Sequence, residues 1–142
     1  MSDIRSVTVD QFVAAPRERV WTALTDPAWL ARWWVPGDIA PTVGHRFILQ
    51  MGQWGEIPCE IVESRAPELL VYTFNTSWTL TWRLVAEGTG TRLLFEHSGF
   101  DLDDPQGRYA FENMGIGWRD AVLPRLATVV GEPSSSPLGV TP

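Results

Sequence analysis

Apolar and polar residues alternate most clearly at Trp78-Thr79-Leu80-Thr81-Trp82-Arg83-Leu84, where four large apolar side chains share one direction and three polar ones take the other. A period of two is the signature of a strand with one buried and one wet face. The same pattern recurs over residues 45–51 with Phe47, Leu49 and Met51 together, over 69–75 with Leu70, Tyr72 and Phe74, and over 91–99 with Leu93, Phe95 and His97. Residues 56–63 read as a further strand, and residues 5–14 as a first one whose phase changes near Gln11. Turns at Gly52-Gln53-Trp54-Gly55, at 64–68 and at 87–90 join the later strands, which makes them an antiparallel meander.

Steps of three and four replace the period of two elsewhere. Pro16 opens a helix that carries Val20, Trp21 and Leu24 on one side. Asp26 then caps a second, short helix that starts at Pro27 and runs to about Trp33. The breakers Pro36, Gly37, Pro41 and Gly44 make 35–44 a loop, with Trp33 and Trp34 at its mouth. Near the C-terminus Phe111, Met114, Trp118, Val122, Leu126 and Val129 form one helical stripe that begins at Asp104-Pro105 and ends at Gly131, a helix of about six turns. A single stripe must lie on something, and the strands supply it. The expected class is α+β, a curved antiparallel sheet wrapped around a long C-terminal helix, with two short helices after the first strand.

That helix contains local conflicts. Gly115 and Gly117 each cost about 1 kcal/mol relative to alanine; either the helix approaches the sheet closely there, or missing side-chain volume leaves room for a ligand. Pro124 removes a helical hydrogen bond and clashes with the preceding turn, at about 3 kcal/mol if unrelieved. A kink or break is expected at 120–123, which would let the N-terminal half of the helix move as a lid.

Composition narrows the function. At 142 residues the chain suits one domain, expected over 1–131, followed by a flexible tail at 132–142 that contains Pro133-Ser134-Ser135-Ser136-Pro137. A net charge of -6 without clustered Lys or Arg argues against nucleic acid and against an anionic membrane surface. Met1-Ser2-Asp3-Ile4-Arg5 has no apolar signal run, and no window approaches a membrane span. Cys59 is the one cysteine, so no intrachain disulfide forms and a reducing cytoplasm is the expected compartment. There is no phosphate-binding glycine loop and no metal-ligand spacing, so neither cofactor nor metal is expected. Cys59 and His97 fall on different strands and do not read as nucleophile and base; Cys59 reads as a small buried hydrophobe.

Eight tryptophans are the oddity, because a surplus of large rigid rings lines pockets and interfaces as well as cores. With the strand phases above, an aromatic set with a few polar tips faces the long helix, the composition that small-molecule pockets use. The candidate ligand-binding residues are Trp33, Trp34, Met51, Trp54, Tyr72, Phe74, Trp78, Trp82, Phe95, His97, Phe111, Met114 and Trp118. Of the Trp33-Trp34 pair, either one ring packs and the other gates the opening, or both are buried. His97 is either a core imidazole bonded to Tyr72, Ser98 or a carbonyl, or a group that orients a ligand or moves a proton.

Several local pieces recur in a characteristic order: Ala14-Ala15-Pro16 with Val20-Trp21 and Leu24-Thr25; Leu30 with Trp33-Trp34 and Pro36; Gly90-Thr91-Arg92-Leu93 with His97-Ser98-Gly99-Phe100; and Gly117-Trp118 with Leu123 and Leu126. In order and spacing the chain resembles the START-like superfamily, also called Bet v 1-like or SRPBCC, and within it the branch similar to activators of the heat-shock-protein-90 ATPase. The resemblance implies a helix-grip fold with a deep cavity between sheet and helix. It says less about activity, since members bind lipids, hormones and polyketides, cyclise or aromatise them, or act as co-chaperones on one scaffold.

Three functions therefore stand beside one another: a binding module for an apolar or aromatic small molecule without covalent chemistry, a cyclase or aromatase that uses the same space, and a co-chaperone. No catalytic residue is assigned, and a homodimer stays open.

Overall fold

Alternation sets the sheet and capping sets the helices. The computed structural model describes residues 3–75 and 77–131; the tail expected at 132–142 lies outside them. In chain order come β1 (Ile4–Val13), α1 (Arg17–Thr25), α2 (Pro27–Trp33), β2 (Arg46–Gln50), β3 (Glu56–Arg65), β4 (Leu69–Phe74), β5 (Trp78–Glu87), β6 (Gly90–Asp101) and a C-terminal helix of 27 residues. The strands form one antiparallel sheet in the order β1-β6-β5-β4-β3-β2, so the first strand closes against the last. Its curved inner face grips the long helix. Asp26 caps α2 by accepting from the Ala28 N–H at 2.8 Å, and Asp104 caps the C-terminal helix through the Gly107 N–H at 3.3 Å.

The strand phases hold at the positions that matter. Phe47, Leu49, Leu70, Tyr72, Phe74, Leu80, Trp82, Leu93, Phe95 and His97 are all buried. β1 differs from expectation. Its phase does not change near Gln11, because Phe12 simply faces outward, 40 % exposed, with the Arg92 guanidinium 5.5 Å from its ring centre. The irregularity lies between Arg5 and Ser6, opposite β6. There Arg5 pairs with Phe100 and Ser6 with Ser98, which leaves Gly99 as the extra residue, at φ +103. This left-handed conformation suits glycine, and the inserted residue turns Phe100 to the same inner face as His97.

The C-terminal helix is α3 (Pro105–Gly117), a π-helical turn (Trp118–Val122) and α4 (Leu123–Gly131) in succession. Leu123 N–H bonds the Trp118 carbonyl, five residues back. The wider turn stands immediately before Pro124 and relieves the clash between a proline ring and the carbonyl four residues earlier. The expected break is therefore a π turn, and the helix continues through it. Trp118 and Leu126 of its expected stripe are buried, but two positions move by one residue: Leu123 and Val130 are buried where Val122 and Val129 are only half-buried. The step of five from Trp118 to Leu123 is the π turn seen from the core.

The two helix glycines separate the alternatives posed for them. Gly115 is buried against Val7 of β1, where an added Cβ would lie 3.4 Å from a valine methyl, whereas one at Gly117 would meet nothing within 4 Å. Gly107, in the first turn of α3, is different again, since a Cβ there would run into the Asp101 carbonyl. Gly107→Ala should therefore destabilise the protein by about 1–3 kcal/mol, and Gly117→Ala should stabilise it by about 0.5–1 kcal/mol. Urea midpoints of the two variants check both signs.

Candidate functional site

The inner faces of β4, β5 and β6 place Tyr72, Phe74, Trp82, Phe95 and His97 side by side, each 2 % exposed or less. From the opposite side the π turn lowers Trp118 onto them, with ring centres 4.4 Å from Phe95, 5.0 Å from Trp34 and 6.0 Å from Trp82. Trp34 stacks between Trp33 at 5.8 Å and Phe74 at 6.0 Å, and Trp78 closes the row against Phe74 and His97. The inner space is thus lined and largely filled by the protein's own rings. Such offset and edge contacts contribute about 0.5–1.5 kcal/mol each beyond area burial.

Most of the candidates named from the sequence meet here. Phe111 joins the cluster through Phe100, and Met51 and Met114 pack half-buried against it. Trp54 does not meet them: it is 67 % exposed on a one-turn 3₁₀ helix after β2. The tryptophan pair divides its tasks. Trp33 is fully buried and its indole N–H donates to the Ala23 carbonyl at 2.8 Å, pinning α2 to α1. Trp34 is half-buried, and its backbone (φ -136, ψ -94) has left the helical region. Phe100, 4.3 Å from the His97 ring centre, was not among the candidates. The signal that would have found it is Gly99, since a glycine inside a strand marks a bulge that reverses the alternation beyond it.

His97 is bonded to none of the partners expected for it. Its Nδ1 accepts from the Trp118 indole N–H at 3.0 Å, while its Nε2 is enclosed without a partner. An indole nitrogen can only donate, so Nδ1 is unprotonated and the ring carries its proton on Nε2. Burial pushes the His97 pKa down to about 3. Burial also pushes the Cys59 thiol up to about 12, against a smaller opposing effect of the Asn75 backbone. The Tyr72 hydroxyl is raised well above its ordinary range, by burial first and then by the neighbouring Cys59. The Trp82 indole N–H lies near enough to Tyr72 to offset that slightly, yet makes no hydrogen bond of its own. At neutral pH the three groups are all uncharged, which removes a thiolate nucleophile and leaves His97 a hydrogen-bond donor rather than a base.

Among the described residues no group of His, Cys, Asp and Glu is placed to hold a metal, and no helix is long and apolar enough to cross a membrane. Two open grooves of about 340 and 550 Å³ lie on the outer face of the sheet, bordered mainly by side chains such as Asp10, Arg83 and Glu96 or Asp38, Arg46 and Glu60.

A curved sheet closed on a long C-terminal helix over an aromatic interior defines a helix-grip protein of the SRPBCC superfamily. The chain belongs to the family described as activator of Hsp90 ATPase homolog 1-like protein, whose model matches residues 14–131. Protein BH1534 of Bacillus halodurans is 30% identical, with a TM-score of 0.83 over 93% of this chain and 100% of that one. MLL2253 of Mesorhizobium loti is also 30% identical, with a TM-score of 0.75 over 89% and 94%. An Hsp90 activator from Plasmodium falciparum shares the fold at 21% identity, with a TM-score of 0.73 over 90% and 97%. No curated protein matches the chain.

The lowered pKa makes His97 a source of acid sensitivity. Between about 3 and the ordinary 6.5 the unfolded chain binds a proton that the folded chain does not, so this contribution is complete above the upper value and is lost as pH falls towards the lower. His97→Gln keeps an acceptor for Trp118 and cannot titrate. Its urea midpoint should fall less than that of the wild type between about pH 7 and about pH 4; equal falls in both proteins would remove His97 as the cause.

Proposed function

We propose that this chain is a binding module for a flat apolar or aromatic small molecule, held between the sheet and α3 without covalent chemistry. The observation that carries this reading is the position of Trp34. Its half-buried indole is stacked between Trp33 and Phe74 with Trp118 tilted across it, in a slot shaped for a flat ring, yet it comes from an irregular segment after α2. A ligand ring that took the same slot would replace one stacking partner by another while Trp34 turned outward. The covering element supports the exchange. α3 buries only Gly115 fully, whereas α4 buries Leu123, Leu126 and Val130, so the helix is held at its C-terminal end and lies lightly over the rings at the other. Phe111 and Met114 would then touch the ligand from above, and Tyr72, Phe74, Trp78, Trp82, Phe95 and His97 from below. Trp54 has no part in this site. The lone thiol is consistent with a reducing cytoplasm as its setting.

A second reading has its own support. The family description and the Plasmodium falciparum fold relative both point to stimulation of a chaperone ATPase. Tyr109 and Ile116 of α3, 65% and 54% exposed, are apolar surface that a protein partner would cover. An ATPase assay with the chaperone separates this reading from the first. A cyclase reading draws less support, because His97 is neutral and hydrogen-bonded on one side and burial holds the Tyr72 hydroxyl protonated well above its ordinary range.

Intrinsic tryptophan fluorescence tests the binding reading directly. Titration with a panel of flat aromatic, polyketide-like and fatty-acyl compounds should quench or shift the emission, with flat aromatics strongest. Trp34→Ala should bind the same compounds more tightly, by about tenfold, because the competing indole is gone. No response from the wild type across the panel would overturn the reading.

A further inference from the structure

Among the described residues, two indole or imidazole N–H groups in the aromatic cluster have no hydrogen-bond partner: His97 Nε2 and Trp82 Nε1. Register places these residues diagonally on the inner face, since Leu80 opposes His97 and Trp82 opposes Phe95, a backbone separation of about 7–8 Å. The Trp118 ring lies between them, 6.0 Å from Trp82 and 6.1 Å from His97. Its bond to Nδ1 fixes the tautomer that makes Nε2 a donor. His97 Nε2 is therefore a donor without an acceptor, and Trp82 Nε1 has only the Tyr72 hydroxyl near it, short of a formed hydrogen bond, with the rings of Phe74, Trp78 and Phe100 packed around His97. A molecule that complements this site brings acceptors. A cation would find no anion in the cluster, and a carboxylate would enter with no positive charge to pair it, at a heavy desolvation cost. A neutral carbonyl oxygen satisfies the donors without either cost.

Resting on the binding reading above, we propose that His97 Nε2–H and Trp82 Nε1–H are specificity groups that select a flat aromatic ketone over the corresponding hydrocarbon. His97 is the principal reader, and Trp82 takes a second oxygen where the ligand has one. The hydrocarbon fills the same slot but leaves both donors enclosed and unpaired.

Fluorene and fluorenone form the test pair, being flat and nearly equal in shape, one with a carbonyl and one without. In tryptophan-fluorescence titrations of the whole chain fluorenone should bind about tenfold more tightly than fluorene. His97→Phe, which keeps a ring but no donor, should bring the two to parity, and His97→Gln, which keeps a donor, should restore part of the preference. Nitrogen-15 NMR of the wild type supplies a readout that needs no variant: Nε2 should carry the ring proton, and its resonance should move on adding fluorenone but not fluorene. Equal affinity of the wild type for both probes overturns the inference and leaves the binding reading standing. Binding of neither probe overturns both. A ring proton found on Nδ1 overturns the inference whatever binds.

Discussion

An indole nitrogen can only give a proton, and in this core the nearest group able to take it is one nitrogen of a buried imidazole. The 3.0 Å bond from Trp118 to His97 therefore fixes several things together. It selects the imidazole tautomer. It joins the long helix to β6 across the interior. It also requires Trp118 to point straight at the sheet, which only a particular rotation of the helix allows. The π turn that begins at Trp118 supplies that rotation: with a step of five residues from one core contact to the next instead of three or four, both Trp118 and Leu123 face inward. A regular α-helix over the same residues would trade Leu123 for Val122 and carry Pro124 against its own carbonyl.

The strands were legible because a one-sided sheet writes its burial into a period of two, which β2 keeps throughout and β4, β5 and β6 keep over the residues read from the sequence, β6 losing it at Gly99. β1 misled for a physical reason. Phe12 and Val13 are adjacent and both apolar, and nothing in the order of residues says that an arginine from β6 will lie across Phe12 and make its outward face tolerable. The helix was legible as a helix, and Pro124 announced a disturbance, but the kind of disturbance depended on which residues met the sheet. The partner of His97 was out of reach. It stands 21 residues away on another element, and the candidates favoured from the sequence were neighbours of the same sheet. Trp54 is a candidate that the structure removes, because the tight turn that holds it points it to solvent.

The C-terminal helix has two halves with different attachments, and the π turn is their joint. α4 carries a strongly apolar stripe and is fixed by Leu123, Leu126 and Val130. α3 is fixed at its start by the Asp104 cap and the bond from the Arg108 guanidinium to the Leu102 carbonyl, and near its end by Gly115 on Val7. Between those points half-buried Ala110, Phe111 and Met114 pack against the core. Local opening draws on elements with few buried apolar contacts, and π turns are common where helices serve a functional site. The same interruption that lets the chain tolerate Pro124 therefore divides the helix into a half with three fully buried apolar anchors and a covering half with none.

The enclosed donors are best understood by comparing magnitudes. Leaving a buried N–H unpaired costs about 1–3 kcal/mol, so His97 Nε2 and Trp82 Nε1 together remove a sizeable share of the roughly 5–15 kcal/mol that holds a domain folded. The rings of Phe74 and Trp78 stand nearly perpendicular to that of His97, and an N–H contact with a ring face would offset only about 0.5–1 kcal/mol of this. A phenylalanine at residue 82 would fill similar space with no polar group to satisfy. The aromatic interior is thus less stable alone than its volume allows, and the deficit is concentrated at two points on one face. Any molecule that brings acceptors to those points recovers the lost hydrogen bonds in the bound state only, which couples its affinity directly to the stability of the fold.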